Sequence, residues 1–502
     1  MKTIFTFLLA AMATLSAHAT DYKEPIVVVV NGVSAEQTGT ISVTETSEGY
    51  DLTLKNFVLN SADGNMGVGN IEMKGIKAYE DGNATLLTTS QTITITEGDA
   101  PDVPFWMATM LPPVPVELRG KIEDGHLRCF IDIDLQATMQ QTIQVAVGSG
   151  YQLRNQSFED WHTSADSYVE PHGWHSFESA TGMLAALAGH HIEKSGDAHS
   201  GETSARIFAT SLFGIIANGT MTTGRMNAGA AVANDTNNNA YLDMSLDATD
   251  GHGDPFYTPL VSRPDSIAFW VKFRQGTPNA DHPYATMSAI ITDGTYYQDP
   301  EDKEYSNVVA KAKNNTIAQT NGEWVRIVAP FSYTDADVLP KAILVTLSTN
   351  ADAGQGSKDD ELLIDDSELI YNAALANLQV KGQDVPAFST DVADYEMTVN
   401  EAITADDITA VATSRSAHIM KTVEHSDYGY LCTITVFGGD MAKTATYTVK
   451  VKSSATAISD VKAATRQHAD CYTLDGRRAA TLSEGNVYVR RMSDGTVRKV
   501  LR

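Results

Sequence analysis

Strict alternation of apolar and polar residues is the feature that most constrains how this chain can fold. Between residues 127 and 135 every second residue is apolar, and charged residues stand at 128, 132 and 134. A period of two places one set of side chains on a buried face of a β-strand and the other set on the opposite face. Similar runs recur, separated by turn-forming pairs such as Asp81-Gly82 and Asp124-Gly125. The pattern predicts an all-β protein of short strands.

The chain is too long for a single hydrophobic core. Its 502 residues, at about 150 residues per domain, predict three or four domains. The net charge of −27 comes from 63 acidic against 36 basic residues, and it disfavours nucleic acid as a partner because binding phosphates needs clustered Lys and Arg. Cys129, Cys432 and Cys471 lie far apart, so no disulfide framework is expected.

The first nineteen residues have the pattern of a secretory signal peptide. Lys2 precedes an apolar stretch, and Ala17-His18-Ala19 supplies the small residues of a cleavage site. Thr20 follows where a lipoprotein would carry cysteine, and no later run reaches the roughly 18 apolar residues of a membrane helix. We therefore expect residues 1–19 to be removed and the mature protein to be secreted, displayed at the cell surface or held in the periplasm.

Residues 20–150 alternate most regularly and predict a barrel or sandwich. The runs Gly39 to Val43, Tyr50 to Phe57 and Gly69 to Ile71 resemble the calycin-like β-barrel domain of exported bacterial proteins. A barrel of that type can hold a small apolar ligand, but small barrels are also commonly filled by their own side chains. The filled interior is the favoured interpretation.

The region from 151 to 372 carries a series of motifs in a fixed order. They are Asn155–Trp161, Pro171–Phe177, Gly201–Ile207, Ala217–Thr220, Thr223–Arg225, Arg263–Trp270 and Leu363–Asp366. In this order they resemble the PCMD domain, a family associated with carbohydrate metabolism, over almost its full length. The resemblance implies a role in glycan use and supplies no catalytic residues. Alternation within the region indicates a jelly-roll β-sandwich like those of many carbohydrate-binding modules.

A sugar-binding face is predicted around Trp270. Alternation in the strand from 269 to 273 places Trp270 and Lys272 opposite the core face, and Trp324 with Arg326 repeats the arrangement. Sugars need flat aromatic surfaces for their C–H faces and polar donors for their hydroxyls. The predicted binding residues are Trp270, with Trp161, Trp174, Arg206 and Arg326 as further candidates. Any one of these aromatic rings could instead be buried.

Acidic residues suggest a structural calcium ion, because Ca²⁺ prefers hard oxygen ligands. Glu159 on the expected first strand of the sandwich and Asp365 on the expected last strand are the predicted ligands. The alternative location is the acidic loop of Asp247, Asp250, His252 and Asp254, which lacks the spacing of an EF-hand and is interpreted as a solvated turn. No organic cofactor is expected.

The C-terminal part divides in two. Residues 373–452 resemble cadherin-like or bacterial immunoglobulin-like spacer modules, with several short strands that predict a sandwich. After a linker from 453, residues 471–502 hold seven Arg or Lys against three acids. The elements Tyr472 to Arg478, Gly485 to Val489 and Asp494 to Thr496 resemble the C-terminal sorting domains of type IX secretion, which implies contact with the secretion machinery. A terminal β-module without a transport role is the alternative.

The sequence predicts an exported glycan-binding protein that takes part in carbohydrate use through its central sandwich. A glycoside hydrolase is the first alternative, but it needs two carboxylates about 5 to 10 Å apart, and 63 acidic residues offer too many pairs to select one. No nucleophile elbow, His-Glu-x-x-His motif or phosphate loop is present. The histidines at 172, 175, 190 and 191 could act as acid, base or ligand, although exposed loop histidines are commoner. A structural, adhesin-like surface protein is the second alternative.

Overall fold

The computed structural model describes residues 19–31, 33–60, 64–162, 169–212, 214–334, 338–426, 428–452, 470–473, 487–491 and 497–501. Regular structure in these ranges is almost entirely β-strand, so the predicted all-β, multidomain fold is confirmed. The helical elements are the four-residue helices α1 (Gln136–Met139) and α2 (Ala185–Ala188) and the 3₁₀ turns Met107–Thr109, Phe177–Ser179 and Ala405–Asp407. The predicted signal peptide as far as His18 lies outside the described residues.

The chain divides into two compact units. The first contains the described residues up to Ala373, together with Thr413–His418 and Phe437–Thr444. The second contains Ala374–Ala412, Ile419–Val436 and the described residues from Ala445 onward. No helix in the described ranges is long and apolar enough to cross a membrane.

A closed antiparallel barrel of eight strands opens the first unit. The strands are β1 (Ala19–Val30), β2 (Val33–Thr46), β3 (Gly49–Leu59), β4 (Met66–Asp81), β5 (Ala84–Ile93), β6 (Val114–Glu123), β7 (His126–Leu135) and β8 (Gln141–Val147). Each strand pairs with the next, and β1 closes the barrel on β8, with Ile26 opposite Val147. Leu127 and Cys129 on β7 are at most 1% exposed and pack in one apolar cluster with residues of the other strands. The alternation in β7 therefore separates the inside of the barrel from its outside.

The strands β9 to β24 form the central region. They are β9 (Ile192–Ser195), β10 (Ser204–Phe208), β11 (Thr210–Leu212), β12 (Ile215–Ala217), β13 (Thr220–Thr222), β14 (Arg225–Ala228), β15 (Asn238–Leu242), β16 (Thr258–Pro259), β17 (Ser266–Arg274), β18 (Ala285–Thr292), β19 (Tyr297–Asp299), β20 (Val308–Ile317), β21 (Val325–Pro330), β22 (Ser332–Tyr333), β23 (Ala342–Ser348) and β24 (Glu361–Ile370). One sheet has the order β21-β17-β24-β10-β9. A six-stranded sheet has the order β13-β23-β18-β20-β22, with β16 beside β23. Two small sheets, β14-β15-β19 and β11-β12, complete the region.

The two large sheets share one hydrophobic core. Phe269 and Val271 on β17 and Met287 and Ile291 on β18 are all fully buried in the same cluster. The predicted inward face of residues 269–273 is thus confirmed. Burial of this apolar surface, at about 25 cal/mol per Å², stabilises the sandwich that carries the side chains on its outer faces.

Seven described strands between Leu375 and Lys452, most of whose residues belong to the second unit, form two sheets. They are β25 (Leu375–Val380), β26 (Gln383–Asp384), β27 (Asp394–Thr398), β28 (Ile408–Ala412), β29 (His418–Ser426), β30 (Gly429–Phe437) and β31 (Thr444–Lys452). The sheets have the orders β26-β25-β28 and β27-β31-β30-β29. In the tail, β32 (Asp470–Thr473), β33 (Val487–Arg491) and β34 (Val497–Leu501) form a three-stranded sheet. The rest of the predicted linker and tail lies outside the described residues.

Candidate functional site

A cleft of about 560 Å³ opens on the face of the six-stranded sheet that is turned away from the core. Alternation along β18 builds it, because Met287 and Ala289 point into the core while Thr286 and Ser288 line the cleft. The volume lies within the range of ordinary small-molecule sites.

The floor of the cleft is a ladder of hydroxyl groups. Thr220 on β13 and Thr286 on β18 both stand opposite Ser348 on β23, which brings three hydroxyls side by side. Thr220 Oγ1 donates to Ser348 Oγ at 3.2 Å, and Thr286 Oγ1 donates to Asn315 Oδ1 at 2.7 Å. Such groups can donate and accept at once, which suits a ligand that carries hydroxyls of its own.

Two asparagines in the cleft wall have unused acceptors. Asn218 donates from Nδ2 to the Asn350 carbonyl at 3.3 Å, and Asn239 donates to the Thr236 carbonyl at 2.8 Å. Their Oδ1 atoms are buried and have no hydrogen-bond partner. A buried unpaired acceptor is unfavourable, so both side chains carry a local energetic cost beside the cleft.

An apolar wall faces these polar groups. It consists of Leu187 on α2 and Leu184 just before it, Ile215 on β12, and Phe177 in a 3₁₀ turn. Leu187 is 53% exposed and Ile215 is 48% exposed. The cleft is therefore amphipathic, with hydroxyls and amides on one side and exposed aliphatic groups on the other.

Charge in the cleft is sparse. Asp299 is the only carboxylate among the described lining residues. It accepts from Ser288 Oγ at 2.5 Å and lies 3.6 Å from Lys313 Nζ. The acid is thus held between a hydroxyl and an ammonium group, and the pair leaves the cleft nearly neutral.

The predicted face around Trp270 lies on the other sheet of the sandwich. The Trp270 indole stacks on the His199 imidazole with 3.8 Å between ring centroids. Lys272 Nζ lies 5.1 Å from the Trp324 ring, and Arg326 donates to Glu368 at 2.7 Å. Aromatic and cationic groups do share this face, and intramolecular partners occupy part of it.

The remaining predicted sugar-binding residues are placed differently. Trp161 and Trp174 belong to the hydrophobic core, at 6% and 0% exposure, so neither ring offers an open face in this structure. Arg206 pairs with Glu193 at 2.6 Å and with Glu361 at 2.7 Å, which occupies its guanidinium.

The two predicted calcium ligands both bond to the loop before β10. Glu159 accepts from the amides of Glu202 and Thr203, and Asp365 accepts from the amides of His199 and Ser200. Burial, reinforced by the charge of Asp366, raises the pKa of Asp365 to about 6. The structure places these carboxylates at one loop, and calcium there stays a prediction.

The acidic loop at 247–254 is not the solvated turn that was expected, although Asp247 is exposed. The Asp250 side chain is fully buried, beside His162 and His175. Asp254 joins the same cluster through His172 at 3.2 Å. His175 is likewise fully buried rather than exposed in a loop.

Local electrostatics shift the pKa of two groups in this cluster, His162 and Asp254. Burial lowers the pKa of His162, and the neighbouring His172 and His252 lower it further. For Asp254, burial alone would raise the pKa, but the Gly173 amide and the nearby imidazoles outweigh it and lower the pKa. Two of the other expected histidines lie apart: His190 pairs with Glu178 at 2.5 Å, and the buried His191 faces two carbonyls.

Residues 19–147 match the family model of the calycin-like β-barrel domain. The match coincides with the closed eight-stranded barrel and confirms the resemblance found in the sequence of that region. A search among curated proteins found no match to the chain.

Similar solved structures include three proteins linked to carbohydrates by their descriptions. A proposed glycoside hydrolase from Bacteroides thetaiotaomicron is 15% identical, with 59% of this chain and 97% of that chain covered and a TM-score of 0.34. A proposed glycoside hydrolase from Bacteroides vulgatus is 17% identical, with 44% and 98% covered and a TM-score of 0.31. Carbohydrate-binding modules of the β-sandwich superfamily are 10% identical, with 70% and 96% covered and a TM-score of 0.21. Identities and TM-scores this low carry no argument about function.

Proposed function

We propose that this is an exported glycan-binding protein and that its central sandwich binds an oligosaccharide in the cleft on the six-stranded sheet. The observation that carries the proposal is the amphipathic lining of the cleft, with a hydroxyl and amide floor opposite an aliphatic wall. A sugar ring has the same division, since its hydroxyls project around the ring while its faces present C–H groups. Ligand sites in general combine such apolar walls with a few placed polar groups.

Each part of the cleft has a distinct role in this proposal. The floor hydroxyls of Thr220, Thr286 and Ser348 exchange hydrogen bonds with sugar hydroxyls. Asn315 and Lys313 supply donors. Leu187 and Ile215 pack on a sugar face, and covering them contributes about 25 cal/mol per Å² of apolar surface removed from water.

The charge of the protein favours a neutral glycan over an acidic one. The chain carries a net charge of −27, which repels polyanions over distances of about a Debye length. Inside the cleft, Asp299 and Lys313 offset one another. A neutral oligosaccharide meets no unpaired charge there.

Binding is favoured over hydrolysis by the same lining. Most glycoside hydrolases need a pair of carboxylates on opposite sides of the scissile bond. The described lining residues offer Asp299 alone, and it is already bonded to Ser288 and close to Lys313. Its position suits a structural or hydroxyl-binding role.

A glycan array probed with the full chain, followed by calorimetric titration of the best neutral oligosaccharide, tests the proposal. Thr346→Trp should fill the cleft and abolish binding, because Thr346 points outward from the middle of the floor. Asn315→Ala should weaken binding roughly tenfold, which corresponds to one lost polar contact of about 1.4 kcal/mol. Circular dichroism and melting would verify that each variant is folded.

Trp270→Ala is the matched control, since it removes an aromatic ring from the opposite sheet of the same sandwich. We expect it to leave affinity unchanged. Loss of binding in Trp270→Ala with normal binding in Thr346→Trp would instead assign the site to the Trp270 face. Release of new reducing ends would support a hydrolase, and failure of the wild type to bind any glycan would support the structural alternative.

Export is supported by the leader pattern at residues 1–19 and by the basic tail from about residue 458. Together with the resemblance of residues 151–372 to the PCMD domain, these features support the proposal that binding occurs outside the cytoplasm, where complex glycans are found. Display at the surface or release into the medium both follow from this route.

A further inference from the structure

The buried cluster beneath the loop at 249–256 has the composition of a metal centre. His175 Nδ1 lies 3.7 Å from Glu170 Oε2 and 3.8 Å from Asp250 Oδ2. His162 Nε2 lies 3.4 Å from the same Asp250 oxygen. All four residues are more than nine-tenths buried, so water does not solvate their charges.

Each carboxylate in the cluster uses one oxygen and leaves the other unpaired. Glu170 Oε1 accepts from the amide and hydroxyl of Ser176, and Asp250 Oδ1 accepts from the amides of His252 and Asp254. The second oxygens, Glu170 Oε2 and Asp250 Oδ2, have no hydrogen-bond partner. These bonds fix both carboxylates, so that their second oxygens are held in place for a cation.

The imidazole of His175 also has one nitrogen with a hydrogen-bond partner and one without. Its Nε2 lies 3.3 Å from the Pro255 carbonyl, which can only accept, so Nε2 carries the proton. The neutral ring then has its lone pair on Nδ1, an atom that also lacks a hydrogen-bond partner. A carbonyl behind one nitrogen is the usual support for a histidine that ligates metal through the other.

We propose that Glu170 Oε2, His175 Nδ1, Asp250 Oδ2 and His162 Nε2 bind a divalent transition-metal ion, with Zn²⁺ the best match. Zinc takes four nitrogen and oxygen ligands at about 2.0 to 2.2 Å in a tetrahedron, which puts the ligand atoms roughly 3.3 to 3.6 Å apart. The ligand atoms of Glu170, His175 and Asp250 lie within 4.8 Å of one another, with 3.7 Å from His175 to Glu170 and 3.8 Å from His175 to Asp250. His162 lies 3.4 Å from Asp250 but outside this group of three, so it has to move closer to complete the tetrahedron. Calcium is disfavoured because it selects oxygen ligands in larger number.

A second layer of contacts holds the proposed ligands. Asp254 Oδ2 lies 3.2 Å from His162 Nε2 and accepts from the Gly173 amide at 2.9 Å. The His162 ring also stacks on His252 with 3.7 Å between centroids. His162 is therefore positioned from two sides.

The site is enclosed, so the ion is structural. Four protein ligands fill a tetrahedral zinc site, whereas catalytic zinc keeps one position open for water or substrate. The ion joins His162, Glu170 and His175 to the loop at 249–256, which is far from them in sequence. This role is independent of the proposed glycan cleft.

Metal analysis of the purified full chain tests the proposal. After incubation with zinc and removal of free metal, mass spectrometry should find one zinc ion per chain, and a strong chelator should lower the melting temperature by several degrees. Asp250→Asn should lose the bound zinc. His191→Gln is the matched control, since His191 is equally buried but both its nitrogens face carbonyl oxygens, and it should keep the metal.

Cobalt substitution provides a measurement that does not depend on a variant folding. Wild-type protein loaded with Co²⁺ should show the intense visible absorption of a tetrahedral site. A chain that retains no zinc or cobalt and melts identically with and without chelator would overturn the proposal. Stabilisation by Ca²⁺ alone would also overturn it and would support an ion at Glu159 and Asp365.

Discussion

At the scale of single residues, Glu361 shows how one side chain can tie three strands together. Its carboxylate on β24 accepts from Arg206 on β10 and from Arg274 on β17, each at 2.8 Å. Burial alone would raise the pKa of Glu361, but the hydrogen bonds from the two guanidinium groups outweigh burial and lower the pKa. The ionised form is therefore the one that stabilises the folded protein.

Glu361→Gln should destabilise the protein by about 1 kcal/mol at pH 7, because the side chain is only 17% exposed but both partners reach solvent. A lowered folded-state pKa gives stability that is complete above the unfolded value of about 4.3 and is lost as the pH falls through the folded value. Urea unfolding should show a smaller difference in the free energy of unfolding between the wild type and Glu361→Gln at about pH 3 than at pH 7. Equal destabilisation at both pH values, or the same effect in the exposed Glu323→Gln, would contradict this.

At the scale of elements, the sequence predicted the strand faces well. Alternation depends only on which face of a strand is buried, so it can be recognised within a short stretch of sequence. Leu127 and Cys129 on β7 and Phe269 and Val271 on β17 are all at most 1% exposed, as their spacing indicates. Trp161 and Trp174 lie outside the named strands, so no period revealed that their rings belong to the core.

The functional clusters were harder to predict because loops bring them together. His175 and Asp250 are far apart in sequence and neither lies on a named strand, so no spacing rule connects them. The cleft is lined partly by the three- to five-residue strands β13, β14 and β15, which are too short to show alternation. A usable signal was the amide-rich run from Asn234 to Asn239, whose composition suits hydroxyl recognition.

The start of β13 depends on a close approach that only glycine permits. A Cβ atom at Gly219 would lie 2.4 Å from the Phe208 amide nitrogen. Gly219→Ala should therefore cost about 1 to 3 kcal/mol and displace Thr220 from the cleft floor, which would weaken glycan binding as well. Denaturant unfolding and titration measure the two effects.

Gly196→Ala provides the comparison, because a Cβ atom there meets nothing within 4 Å. It should change stability by only a few tenths of a kcal/mol. A Gly219→Ala protein as stable as the wild type would mean that β10 and β13 can separate without cost.

At the scale of the whole molecule, the tail is the part most easily removed. The described strands β32, β33 and β34 pair only with one another. Deleting the chain from about residue 458 should therefore leave the melting temperature of the remaining protein nearly unchanged while abolishing surface display or release by the native host. Calorimetry and cell fractionation measure these outcomes. Normal delivery without the tail would contradict a sorting role.

The closure of the barrel sets an order of events during synthesis. The second half of β1 must find β8, which is more than a hundred residues further along the chain. Contacts of such long range slow folding. Until β8 has emerged, the valine-rich segment from Val27 to Val30 keeps one unpaired edge, a surface on which other strands can add. A chaperone that shields nascent β-edges would therefore act most strongly on this stretch before residue 147 is made, and truncation within β8 would convert a closed domain into an aggregating one.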